Sequence, residues 1–173
     1  MSKKIYVICG LSGVGKTTFS LELGKELGIE NIIRTDDIYN SIRQKLNIDI
    51  DEAKTMLSSK KCKKEKIKLF EDEVFNSFSK VDNNSFIVEG QLFGTNKNAR
   101  HIMEKMYPND QFRYFWIKID YERWLKNISE RFEDSMWWPM FLERDQYYNT
   151  CSFYELKMPK EYTKNLLKGI FLT

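Results

Sequence analysis

The chain has 173 residues, 42% hydrophobic and 31% charged, which suits one compact domain and excludes an intrinsically disordered chain. Its 28 Lys and Arg exceed its 25 Asp and Glu by only three. This balance permits an anionic partner without requiring one, and domains that hold nucleic acid mainly through phosphates are usually more basic.

Lys4 to Cys9 is β-branched and apolar, as expected of a first strand. The chain then turns through Gly10 to Gly15 into Lys16-Thr17-Thr18-Phe19-Ser20-Leu21-Glu22-Leu23, which has helical spacing. Ile32 and Ile33 predict a short second strand ending at Asp36 and Asp37, after which Ile38, Ile42 and Leu46 mark one face of a helix. From Asp51 to Lys80, the positions Met56, Leu57, Ile67, Phe70, Val74, Phe75 and Phe78 predict one long helix or two, with a break near Ser58-Ser59. Ser85 to Glu89 is expected as a third strand, Asn98 to Met106 as a helix, and Phe112 to Ile119 as a fourth strand apolar enough to be central. A helix over Tyr121 to Phe132 follows, then an aromatic stretch from Trp137 to Tyr154 and a helix-like Lys160 to Leu167. Strands alternating with helices imply an α/β fold: a parallel sheet with helices on both faces and a ligand site at the carboxyl ends of the strands.

The residue inventory narrows the chemistry. Cys9, Cys62 and Cys151 are odd in number and far apart, which argues against a disulfide framework and fits a reducing cytoplasm. The apolar run Ile5 to Cys9 is too short for a signal peptide core or a bilayer span. His101 is the single histidine, so a histidine-based triad or zinc cluster is not expected.

The central motif is Gly10-Leu11-Ser12-Gly13-Val14-Gly15-Lys16-Thr17, a full match to G-x-x-x-x-G-K-[ST] between an apolar strand and a helix. Glycines let backbone N–H groups wrap phosphate oxygens, and the following helix, which continues through Thr18, directs its positive end at them. Lys16 is expected to reach the β- and γ-phosphates of ATP, and the Thr17 hydroxyl to help hold magnesium. Glu89 ends the apolar Phe86-Ile87-Val88 strand, the pattern that brings a carboxylate to the metal or its water shell. Asp36 is the expected base toward an attacking hydroxyl, with Asp37 a helix cap or a supporting group near the substrate. Arg123, Arg131 and Arg144 lie on or after the helix that follows strand four, where a mobile lid over about 121–150 brings guanidinium groups to the transferring phosphoryl.

The P-loop together with Arg34-Thr35-Asp36-Asp37-Ile38-Tyr39, Ile87-Val88-Glu89-Gly90 and Leu125 to Arg131 resembles the P-loop kinases that include the polynucleotide 5′-hydroxyl kinases, the 2-phosphoglycerate kinases and zeta-toxin-like enzymes. The resemblance implies a three-layer kinase fold with a helical lid in one domain over 1–173. It also implies Asp36 as base and Arg131, in Ser129-Glu130-Arg131, as the transition-state arginine. An arginine that contacts substrate phosphate soon after the acidic pair in the polynucleotide kinases is met here only at Arg43.

The acceptor is open at this level. A nucleic-acid or nucleotide hydroxyl is the first expectation, resting on the lid resemblance, the lysines Lys60, Lys61, Lys63, Lys64, Lys66 and Lys68, and the aromatic stretch. A solvated helix face and core or lid packing explain the same lysines and aromatics. A small-metabolite alcohol is the second expectation, and a non-catalytic nucleotide or nucleic-acid binding module the alternative from another class. Asn96-Lys97-Asn98-Ala99 lacks the aspartate of the guanine-reading N-K-x-D, which argues against a GTPase.

Overall fold

The structure, a computed structural model, describes residues 3–49, 64–81, 85–95, 97–108 and 111–132. In chain order these form β1 (Lys4–Cys9), α1 (Lys16–Leu27), β2 (Ile32–Arg34), α2 (Thr35–Leu46), α3 (Lys64–Ser79), β3 (Phe86–Glu89), α4 (Leu92–Thr95), α5 (Lys97–Met106), β4 (Gln111–Trp116) and α6 (Tyr121–Phe132). The strands make one parallel sheet in the order β2-β3-β1-β4.

Both faces of this sheet are covered, as the alternation along β1 requires. Ile5, Val7 and Cys9 pack on one face with Ile38 and Ile42 of α2, Phe70, Val74 and Phe78 of α3, and Met103 of α5. Tyr6 and Ile8 pack on the other face with Phe19 and Leu23 of α1 and Tyr121, Trp124 and Ile128 of α6. Each fully buried Phe, Ile or Leu in these two layers contributes about 1.5–3 kcal/mol relative to an exposed one. The expected α/β layering is therefore present.

Three expectations change. β4 is at an end of the described sheet, not central, because β3 and β1 hold the middle: all four β3 residues are buried, whereas the first four of β4 retain exposure. α2 begins at Thr35, so Asp36 and Asp37 occupy its first turn and do not end β2. Asp37 is accordingly not the cap, a position held by Arg34 without a side-chain hydrogen bond, and both carboxylates complement the positive end of the helix dipole. α4 has no counterpart in the sequence reading, since four residues are too few to show a period. The predicted break at Ser58-Ser59, the aromatic stretch and the Lys160 to Leu167 helix lie outside the described residues.

α2 is held at both ends of its inner face. At its start, the buried Thr35 packs against Gly90, which has φ +147°, and a Cβ at Gly90 would meet Thr35 Oγ1 at 1.8 Å. Farther along, Ser41 Oγ donates to Glu73 Oε2 of α3 at 2.5 Å, and Lys45 donates to Glu73 Oε1. Glu73 is only 4% exposed. Burial alone would raise its pKa, but the hydrogen bonds from Lys45 and Ser41, the Lys45 charge and Asn76 outweigh burial and lower it below the ordinary 4.5.

Gly90→Ala combines a left-sided φ with a clash against a buried side chain, so urea unfolding should show a loss of about 1–3 kcal/mol; an unchanged midpoint would contradict this packing. Glu73 is a depressed carboxyl, so its ionic contribution to stability is complete above the unfolded pKa near 4.5 and declines as pH falls through the lower folded value. Glu73→Gln should therefore be less stable than wild type at neutral pH, with the gap narrowing on acidification below 4.5; a gap independent of pH in that range would show that the charge is not what Lys45 and Ser41 hold.

Candidate active site

The site lies where β1 and β3 end. β1 leads into Gly10, whose φ is +151°, and Gly13 and Gly15 also have positive φ, at +81° and +92°. At Gly10 a side chain is excluded because a Cβ would stand 2.7 Å from the Ile117 carbonyl oxygen, just past β4. At Gly13 it would stand 2.3 Å from Ile128 Cγ2 of α6. The glycines thus allow two neighbouring elements to close on the loop as well as permitting its turns.

α6 grips the loop further through polar side chains. Trp124 Nε1 donates to Ser12 O at 2.7 Å and Asn127 Nδ2 donates to Gly13 O at 2.8 Å. Residues 124, 127 and 128 share one helix face by their three- and four-residue spacing. Sequence reasoning missed Trp124 and Asn127. The available signal was the same spacing in a helix already expected, but nothing local names a partner more than a hundred positions away.

Within the loop, Lys16 Nζ donates to Leu11 O at 2.8 Å, which curls the lysine stem back over its own turn. Thr17 Oγ1 donates to Glu89 Oε1 at 2.6 Å, joining the first turn of α1 to the end of β3. Glu89 is 7% exposed, and its Oε2 is buried without a hydrogen-bond partner. Arg34 Nε stands 3.7 Å from that same oxygen, close enough for an ion pair and too long for a hydrogen bond. A buried anionic oxygen beside a hydroxyl fits a hard divalent cation, which takes oxygen ligands.

The other expected residues are distributed as follows. Asp36 and Asp37 are exposed in the first turn of α2, immediately after the Arg34 that faces Glu89. Arg43 is exposed two turns farther along α2, where its carbonyl accepts the Asn47 and Ile48 N–H groups that close the helix. Arg123 is exposed in the first turn of α6, and its backbone N–H donates to the capping Asp120 Oδ1 at 2.9 Å. Arg131 belongs to the last turn of α6, its side chain outside the described set, and Arg144 lies outside the described residues altogether. Cys9, directly before the loop, is buried, and that burial pushes its thiol up to about 12 against the opposing charges of Arg100 and Lys16, so it is protonated and a poor nucleophile at neutral pH.

No family model matches the chain, and no curated protein matches it. Solved structures do. Shikimate kinase from Aquifex aeolicus is 23% identical with a TM-score of 0.55, covering 98% of this chain and 94% of its own. Shikimate kinase from Acinetobacter baumannii, in complex with shikimate, is 16% identical with a TM-score of 0.54 and covers 95% and 84%. The enzyme from Bacteroides thetaiotaomicron is 13% identical with a TM-score of 0.54 and covers 93% and 85%. The likeness does not single out the polynucleotide kinase, 2-phosphoglycerate kinase and zeta-toxin group. It shows that this chain has the α/β P-loop kinase fold.

Proposed function

We propose that the chain is an ATP- and magnesium-dependent kinase that transfers the γ-phosphoryl group to a hydroxyl of a small metabolite. The observation that carries the reading is the Thr17 hydroxyl on Glu89, with the second carboxylate oxygen buried beside it at the exit of a G-x-x-x-x-G-K-T loop. Thr17 and Glu89 would hold magnesium there, and the cation would supply positive charge against the phosphates of the nucleotide.

The rest is the work of the chain. The glycine loop offers backbone N–H groups to the phosphates, and Lys16 swings from Leu11 O to the β- and γ-oxygens. Thr17 and Glu89 would hold the cation. Asp36 accepts the proton of the acceptor hydroxyl as its oxygen bonds the γ-phosphorus, the bond from that phosphorus to the bridging oxygen breaks, and ADP leaves with the electron pair. Asp37 and Arg43 on α2 and Arg123, Arg131 and Arg144 after β4 are proposed for contacts with the acceptor or the transferring group.

A small acceptor is favoured over nucleic acid for two reasons. The fold likeness runs to kinases named for shikimate, a small hydroxylated acid, one of them holding it. The nucleic-acid reading rests on the lid resemblance, on a lysine cluster of which Lys64, Lys66 and Lys68 are within the described residues, and on aromatics outside them, and nothing in the fold likeness supports it. A binding module without turnover rests only on the same lysines and aromatics.

Incubating the protein with γ-labelled ATP and a panel of hydroxy acids, sugars, nucleosides and DNA and RNA oligonucleotides tests the proposal. Label should enter a small hydroxylated compound. Label confined to oligonucleotides would reverse the choice of acceptor, and hydrolysis indifferent to every hydroxyl would remove the transfer reaction. Lys16→Ala should lower turnover by about two to three orders of magnitude while the fold persists by circular dichroism. Asp36→Asn should lower turnover roughly 10²- to 10⁴-fold with ATP affinity retained, and Asp37→Asn should do much less; the reverse order would exchange their roles.

A further inference from the structure

Arg34 entered no sequence expectation as a functional residue, yet it faces the same buried carboxylate as the P-loop threonine. It is the last residue of β2 and is paired in register with Glu89, the last of β3, so the ladder itself sets the two side chains together. Its Nε lies 3.7 Å from Glu89 Oε2, while Thr17 occupies Oε1 at 2.6 Å. The two partners differ in freedom: the Arg34 side chain is 45% exposed and that of Glu89 only 9%. The guanidinium can swing into water at little loss, whereas the carboxylate is fixed among buried strands and needs a nearby positive charge.

We propose that Arg34 is a built-in competitor for the cation at Glu89. Its guanidinium neutralises the carboxylate until a divalent cation takes over, so the protein without nucleotide holds that cation weakly and acquires it together with the phosphates. Two features give the arrangement this property and not that of a simple structural ion pair. The contact at 3.7 Å leaves Oε2 without a hydrogen bond, so a cation displaces an electrostatic neighbour and breaks no donor–acceptor bond. The competing charge also comes from β2, across β3 from the β1 strand that leads into the P-loop, so it can withdraw without disturbing Thr17. The inference rests on reading Thr17 and Glu89 as the magnesium site.

The test uses the full chain without nucleotide and manganese(II) as the probe, with free ion followed by electron paramagnetic resonance. Arg34→Gln should bind manganese about two- to fivefold more tightly than wild type, the factor that loss of one half-exposed charge pair supplies. Arg34→Lys, which keeps the charge, should stay near wild type, and the gain should vanish in Arg34→Gln combined with Glu89→Gln. Equal affinity in wild type and Arg34→Gln overturns the proposal, as does a gain that survives removal of the Glu89 charge. Label transfer is scored separately on wild type. Transfer without the manganese gain sinks the competitor and leaves the kinase reading, while the gain in a chain that transfers no label keeps the competitor and sinks the kinase reading.

Discussion

A carboxylate buried at the end of a strand is the constraint around which this molecule is arranged. Glu89 closes a strand whose four residues are all buried, and an ionised group in that position requires partners. It finds them on both sides because β3 lies between β2 and β1 in the sheet. From β2 comes Arg34, and from the loop and helix that follow β1 comes Thr17. The chain order of the strands leaves the slot between β1 and β2 to be filled later by β3, so the polar centre of the site is completed only when the third strand is inserted. Topology and electrostatics are here one requirement.

The P-loop is the second dependency, and it is shaped from outside as much as from within. Its positive-φ glycines have no strong preference for one conformation in an unfolded chain. Order comes from α6, which takes the Ser12 and Gly13 carbonyls as acceptors and seats Ile128 where a Gly13 side chain would be, and from the Ile117 carbonyl against Gly10. Fixing the loop in advance of the ligand is what makes its dipoles effective toward phosphate, since no reorganisation is then needed at binding. The same helix, Tyr121–Phe132, covers the first part of the lid expected over about 121–150. A displacement of α6 would strain the Trp124 and Asn127 bonds and so disturb the shape of the loop.

How far the sequence alone revealed this depends on the separation of the partners. The phosphate loop was legible because its glycines, lysine and threonine are contiguous and flanked by a strand and a helix. Glu89 was legible as an acid ending an apolar run. The position of β4 was not, since apolar content does not state neighbour order, and Gln111, Phe112, Arg113 and Tyr114 keep partial exposure at the sheet's end, with Tyr114 Oη donating to Glu104 on α5. The start of α2 was placed late because Asp36 and Asp37 serve equally well as cap residues or first-turn residues. Trp124, Asn127 and Arg34 were missed for a shared reason: each acts on a group far away in sequence, through a packing contact or a strand register that no local pattern encodes.

The placement of α2 bears on what kind of acceptor the site suits. Thr35 wedged on Gly90 fixes its first turn against the end of β3, and Glu73 ties its middle to α3 through Ser41 and Lys45. The first turn, which carries the proposed base, is thereby held relative to Glu89 and the phosphate loop by the scaffold and not by the ligand. Such rigidity matters most for a compact substrate, which has few groups remote from the reacting hydroxyl with which to position itself. A polynucleotide brings a long backbone whose contacts can orient the reacting end from a distance. The proposed base is thus carried on a helix turn that the scaffold anchors on Gly90 and through Glu73, and this packing of α2 suits the small hydroxylated acceptor of the proposal.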